Sequence, residues 1–258
     1  MAEILVSNSD GVQVIRMTRP AKKNALTSTM YAAMTEALVA GDAAPDVAVH
    51  LFAGSSGVFC AGNDINDFLK HSSKDGGLGD QVVNFIRALP TTRKPMIAAV
   101  DGLAIGVGTT MLLHCDLVYA SPAASFRTPF LDLGILPEAG SSLLMPRRMG
   151  HVRAFEMLAL GATYSAEQAR EAGLINAVVT ADRLEAAALD AGRRLATKPP
   201  EALALARKLM RGDPTEVMAR IDAEITEFAR RLASPEAKEA FQAFLEKRPP
   251  DFKKLNGR

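Results

Sequence analysis

The sequence has no tryptophan, two cysteines, four histidines, no surplus of either charge and no long apolar run. Cys60 and Cys115 stand far apart and outside any CxxC pattern, which points to free thiols in a reducing compartment rather than a disulfide framework. Thirty basic residues against twenty-nine acidic ones leave no global electrostatic footprint for nucleic acid or an anionic membrane surface, so any anionic ligand has to be held locally. No apolar run approaches the roughly 20 residues that a membrane span needs, and the opening MAEILVSNSD lacks a basic segment followed by an apolar core. The expectation is a soluble, untargeted, cytoplasmic protein with neither nucleic acid nor membrane as partner. His50, His71, His114 and His151 are isolated, without an HExxH or Cys/His cluster, so no catalytic metal is expected. GLAIGVGTT carries Gly102, Gly106 and Gly108 but not the GxGxxG spacing with a downstream acid, and neither GxxxxGK[ST] nor GxSxG occurs. The missing tryptophan decides nothing.

What is present is a chain of 258 residues, 48% of them apolar, enough for one large α/β domain or a core with a helical extension. EILVSNSDGVQVIRMTRP predicts a hairpin turning at Ser9, Asp10 and Gly11. A helix is expected to open at Thr27 or Ser28, where a hydroxyl can cap free N–H groups, and to run to Gly41. VAVHLFAG and MIAAVDG are short apolar strands, each running into a Gly-rich turn and then a helix-like segment. That order predicts β-α units with parallel strands, and sites on such sheets form beyond the strand ends. HSSKDGGLGD, starting at His71, reads as a mobile surface loop, with a substrate lid as the other reading. From about Tyr164 onward the spacing is helical.

Three segments carry candidate chemistry. FCAGNDI, residues 59–65, and GLAIGVGTTMLL, residues 102–113, each follow an apolar strand. Either could present free backbone N–H groups at a helix start, or the glycines could serve only tight turns and close packing. The third segment, LGILPEAGSS, sets Glu138 straight after a proline among small and apolar neighbours. Leu133, Ile135, Leu136 and Pro137 would desolvate that carboxylate and raise its pKa toward the range useful for taking and returning a carbon-bound proton. The plainer reading makes Glu138 the cap of a helix beginning near Ala139 to Ser141.

Taken in order, RPAKKNALT, FCAGNDI, KPMIAAVDGLAIGVGTTMLLHCDLVYAS, FRTPFLDLGILPEAGSS, YSAEQAREAGLINAVV, KPPEALALARKLM and FLEKRPPDFK resemble the crotonase, or enoyl-CoA hydratase/isomerase, superfamily over essentially the whole chain. The resemblance implies an α/β fold of the ClpP/crotonase type, a spiral of β-β-α units with a C-terminal helical module. It divides the chain into a core with an acyl-CoA site at 1–195 and a helical trimerisation module at 196–258. It implies an acyl-CoA thioester as substrate, no cofactor beyond that CoA, and an enolate held by the backbone N–H groups of Asn63 and Val107. Hydratases of this kind carry two glutamates, and the matching positions here are Thr110 and Phe130. Hydration needs a water activated and a proton delivered, whereas a 1,3-allylic shift moves one proton and can use one shuttling base. The segment TPFLDLGILPEAGSS resembles the Δ3,Δ2-enoyl-CoA isomerase branch, which makes Glu138 that base.

Several alternatives stay open. Asp132 matches a catalytic aspartate of dienoyl-CoA isomerases, and its place beside Leu133 and Gly134 also suits a turn or salt-bridge residue. Ring-epoxide phenylacetyl-CoA isomerases carry an acid at the Glu138 position too. A hydratase and a catalytically silent acyl-CoA-binding protein complete the set. The resemblance places CoA against Ala61, Gly62 and Asp64 and against Lys22, Lys23, Asn24 and Ala25. It also implies a homotrimer or hexamer in which Phe252 and Lys253 complete a neighbour's CoA site.

Overall fold

A computed structural model of the chain describes residues 2–55, 57–67, 69 and 77–252. The greater part of the stretch expected to be a loop or lid after His71, and Lys253, lie outside the described residues.

The predicted hairpin is present. Strand β1 (Ile4–Ser9) pairs antiparallel with β2 (Val12–Met17), in a register running from Ile4 against Met17 to Ser9 against Val12. Asp10 and Gly11 between them both have positive φ, 53° and 78°, the twist that a two-residue hairpin turn requires. Helix α1 (Ser28–Ala43) follows, with the Thr27 hydroxyl accepting from the Met30 N–H at 3.4 Å.

The chain then winds through two sheets in turn. Strands β3 (Val49–Ala53), β5 (Met96–Val100) and β7 (Leu117–Ala120) join the hairpin in a six-stranded sheet of order β1-β2-β3-β5-β7-β10, closed at its edge by β10 (Ala177–Val178). The strand after each, β4 (Val58–Cys60), β6 (Leu103–Ile105) and β8 (Ser125–Arg127), enters a second sheet of order β4-β6-β8-β9, with β9 at Tyr164–Ser165. β3 pairs parallel with β5, as the two apolar runs predicted, and β5 pairs parallel with β7. This alternation between sheets is the spiral of β-β-α units that the resemblance implies.

Burial explains the apolar runs, broken in β3 by the buried His50 alone, whose Nδ1 pairs with Gln13 Oε1 at 2.8 Å. Both faces of the large sheet are covered, so strand residues alternate between two cores. Val49, Leu51, Ile97 and Ala99 pack with Leu184 and Ala188 of helix α7 (Ala181–Ala196). Phe52, Met96, Ala98 and Val100 point into the main core, together with Met30, Tyr31 and Met34 of α1 and Phe85, Ile86 and Leu89 of helix α2 (Asp80–Thr91). The remaining helices are α3 (Val107–Thr110), α4 (Ser141–Met149), α5 (His151–Leu158), α6 (Ala166–Glu171), α8 (Pro200–Arg211), α9 (Thr215–Leu232) and α10 (Pro235–Leu245).

Two differences from the expected pattern have one cause. The half predicted to be helical from Tyr164 also supplies β9, antiparallel to β8, and β10, parallel to β7. Each is two residues long, too short for a period to show. The C-terminal helices also return to the core: α9 packs against α2 and α4, and α10 against the turn Leu131–Leu133. No helix among the described residues is long and apolar enough to cross a membrane. Cys60 and Cys115 are free and buried.

Candidate active site

Three chain segments meet beyond the ends of β4 and β6. After Cys60 the chain runs alongside residues 23–26: the Ala61 N–H donates to Lys23 O at 3.0 Å, the Leu26 N–H to Gly62 O at 2.8 Å, and the Asp64 N–H to Leu26 O at 2.9 Å. In this parallel bridge Leu26 bonds to the residues flanking Asn63, so the N–H of Asn63 itself is directed to the opposite side. The start of α3 abuts this segment. A Cβ on Gly62 would come within 3.0 Å of Ile105 O, and one on Gly108 within 2.8 Å of Cys60 Cβ and of Cys60 O. Position 108 therefore has to be glycine for the two turns to touch. Val107 is the first residue of α3, where an N–H has no intrahelical acceptor. The two nominated donors thus sit on abutting turns.

Glu138 is buried, with 4% of its surface exposed. Its Oε1 accepts the Thr110 hydroxyl of α3 at 2.5 Å, and its Oε2 is buried with no hydrogen-bond partner among the described residues. Burial pushes the carboxyl up to about 8; the Thr110 bond works against that rise and the Glu224 charge adds to it. Tyr31 joins from α1, donating its hydroxyl to Asn63 Oδ1 at 2.5 Å. Burial raises the Tyr31 phenol well above its usual range, and the charges of Glu138 and Cys60 add to the rise.

Glu138 does not cap α4. That helix begins at Ser141 with Gly140 as N-cap and no side-chain cap from its own end. The cap is supplied from α9, 84 residues away: Glu224 Oε2 accepts the Gly140 N–H at 2.6 Å, while its Oε1 accepts the Ser142 N–H at 2.9 Å and the Ser142 hydroxyl at 2.5 Å. On the other side of the turn, Ala139 is fully buried with φ of 55°. Its carbonyl accepts from His114 Nε2 at 2.7 Å. Burial pushes His114 down to about 3, so its ring is neutral and the Nε2–H is the donor.

The other nominated residues fall in different surroundings. Asp132 lies in an ion pair with Arg127 at 2.9 Å, its side chain about half exposed. Asn24 is buried, and its amide is consumed by the Arg19 N–H at 2.8 Å and by Val58 O and Phe59 O at 2.9 and 3.0 Å. The Asp64 carboxylate accepts Arg19 Nη1 at 2.8 Å and the N–H groups of Asn66 and Asp67; burial would raise it, but these donors hold it below the usual carboxylate range. Lys22 and Lys23 are exposed and Ala25 is half-buried beside them. Phe252 is half-buried; the N–H of Asp251 donates to Glu239 Oε1 at 2.9 Å, and Arg248 pairs with the same carboxylate at 2.6 and 3.1 Å. Phe130 is buried. Among the described residues no group of three or more His, Cys, Asp or Glu side chains could hold a metal ion.

The sequence reading missed the contributions of Tyr31, His114 and Glu224, and registered Thr110 only as an absent acid. Comparisons with known proteins point to one family. Residues 7–255 match the family model described as enoyl-CoA hydratase/isomerase. A 2,3-dehydroadipyl-CoA hydratase of Escherichia coli is 33% identical, over 98% of this chain and 99% of that protein. A 1,2-epoxyphenylacetyl-CoA isomerase of the same organism is 34% identical, again over 98% and 99%. The crystal structure of an enoyl-CoA hydratase/isomerase from Pseudoalteromonas atlantica superposes with a TM-score of 0.92 at 38% identity, covering 97% of this chain and 100% of that one.

Proposed function

Because the chain belongs to the enoyl-CoA hydratase/isomerase family, we propose that it converts 3-enoyl-CoA to trans-2-enoyl-CoA with Glu138 as its single base. The ionised Glu138 takes the C2 proton through Oε2, the oxygen that has no hydrogen-bond partner among the described residues. The electron pair left at C2 delocalises onto the thioester oxygen and the double bond, giving a dienolate whose oxygen is held by the Asn63 and Val107 N–H groups. The same carboxyl then returns the proton at C4, and the enzyme ends as it began. A base with a pKa near 8 suits this cycle, because it has to take a proton from carbon and also give one back.

The observation that carries this reading is a buried carboxyl, Glu138, with one oxygen unpartnered and no second free carboxyl beside it among the described residues. Thr110 occupies the place where the resemblance puts a hydratase acid, and it spends its hydroxyl on Glu138. Glu224, the other buried carboxylate nearby, has both oxygens engaged by α4. The partly exposed pairing of Asp132 with Arg127 supports the shorter proton shift over a dienoyl one. CoA would lie along the paired segments 23–26 and 61–64, with Lys22 and Lys23 offering point charges to its phosphates. The assembly would be a homotrimer or hexamer, with Phe252 and Lys253 reaching a neighbour's CoA. The test is to incubate the protein with 3-enoyl-, 2-enoyl- and dienoyl-CoA panels and follow conjugation by absorbance. Formation of trans-2-enoyl-CoA from the 3-enoyl substrate is expected; rapid hydration of the 2-enoyl substrate would overturn the reading.

A further inference from the structure

Helix α9 presents Val217, Ile221, Glu224 and Phe228 at helical spacing, with Ile221, Glu224 and Phe228 buried. Gly140 lies on this face: a Cβ there would sit 3.2 Å from Val217 Cγ1 and 3.5 Å from Ile221 Cγ1. In the middle of that apolar stripe is a carboxylate, and burying one without compensation is costly. Its three contacts on α4 are all donors, which is what the ionised form requires. The contacts flank the turn that carries Glu138. Residues 139 and 140 both have positive φ, 55° and 73°, and Ala139 has to be held there because a side chain disfavours that conformation.

From this arrangement we infer that Glu224 is a positioning residue for the Glu138 base, fixing the turn at 138–142 through the Gly140 and Ser142 N–H groups and the Ser142 hydroxyl while setting a second negative charge beside it. His114 holds the same turn from the opposite side through Ala139 O. Two consequences follow, one geometric and one electrostatic. With Glu224 truncated, Oε2 of Glu138 loses its fixed aim at the substrate. With its charge removed, Glu138 ionises more easily and becomes a weaker base.

The titratable and charged groups around Glu138 are few. Tyr31 faces it from α1 and Cys60 from β4, both kept protonated by burial. His114 is neutral. Burial raises the Glu224 carboxyl above its ordinary range, while the Ser142 and Gly140 donors and Arg220, which reaches the Ser142 hydroxyl at 3.2 Å, work against that rise and favour the ionised form. Glu224 is thus the anionic neighbour whose removal should move the titration of Glu138.

The rate arm of the test rests on the isomerase reading, so a second arm reads Glu138 without any acyl-CoA. The carboxyl stretch of Glu138 is followed by infrared difference spectroscopy against pH in the full chain, assigned by its loss in Glu138→Gln. Glu224→Gln, whose amide can satisfy at most two of the three donors, should shift that titration to lower pH. Ser142→Ala, which removes one contact and leaves the carboxylate, should shift it less. In the rate arm, Glu224→Gln should lower kcat at least about tenfold with KM nearly unchanged, and its acid limb should move the same way. An unmoved Glu138 titration in Glu224→Gln, with kcat falling only in proportion to the folded fraction, would make Glu224 a structural cap and overturn the inference. If neither wild type nor variant isomerises 3-enoyl-CoA but the infrared titration shifts, the positioning role stands and the proposed reaction fails.

Discussion

Thr110 donates its hydroxyl to Glu138 Oε1 across 28 residues of sequence, so the side chain standing where an acid is absent orients the acid that remains. One carboxylate oxygen is fixed, and the other has no hydrogen-bond partner among the described residues.

Glu138→Gln keeps the size of the side chain and removes the base. The turnover number for 3-enoyl-CoA should fall at least about a hundredfold while binding of the CoA product changes little. Near-normal turnover in this variant would move the base elsewhere.

Thr110→Val removes a hydrogen bond that favours the ionised carboxylate, so the Glu138 pKa should rise further and the acid limb of the pH–rate profile should move to higher pH. The activity lost near neutral pH should be recovered in part at alkaline pH. A profile that keeps its wild-type position would show that the Thr110 contact does not tune the base.

Stability should depend on pH through the same group. Glu138 is raised from its ordinary 4.5 to about 8 in the folded chain, so between those values the native state holds a proton that the unfolded chain has lost. Its contribution is therefore greatest at low pH, declines as pH rises from about 4.5 to about 8, and is constant above. The span is on the order of 5 kcal/mol. Glu138→Gln cannot lose that proton, so the Tm of the variant relative to wild type should rise between pH 5 and pH 9. A flat difference across that range would mean that Glu138 titrates normally.

Asp132→Asn should cost a simple 3-enoyl substrate much less than Glu138→Gln does. With a dienoyl substrate the two variants should suffer comparably only if Asp132 handles the far end of a longer proton shift. Steady-state rates on both substrates for both variants separate these outcomes.

Exposed Leu209, Met210, Phe244 and Leu245 on α8 and α10 suit a subunit boundary, and sedimentation should give a trimer or hexamer. A monomer with full activity would remove the role proposed for Phe252 and Lys253.

Much of this architecture was legible because burial imposes a period on the residues. β3 and β5 are buried on both faces and read as apolar runs with His50 as the one polar interruption, while the Asp10–Gly11 turn and the Thr27 cap announce themselves by residue type. Glu138 stood out because an acid among Leu133, Ile135 and Leu136 is chemically out of place. The residues that complete its surroundings carry no such signal. Tyr31 falls on the apolar stripe of α1 and looks like packing. Glu224, in IDAEITEFARRLA, looks like any acid on an amphipathic helix, since periodicity does not tell which polar position a distant turn will cover. Thr110 acquires meaning only when the fold brings it to Glu138.

The helix that caps the Glu138 turn lies far from it along the chain, Glu224 being 84 residues beyond Gly140. Every strand among the described residues, and the abutting turns with Asn63 and Val107, precede residue 180, so a protease cutting between α8 and α9 would leave the sheets on one fragment and the acceptor of the Gly140 and Ser142 N–H groups on the other. The Glu138 turn would then be held across the cut by packing alone.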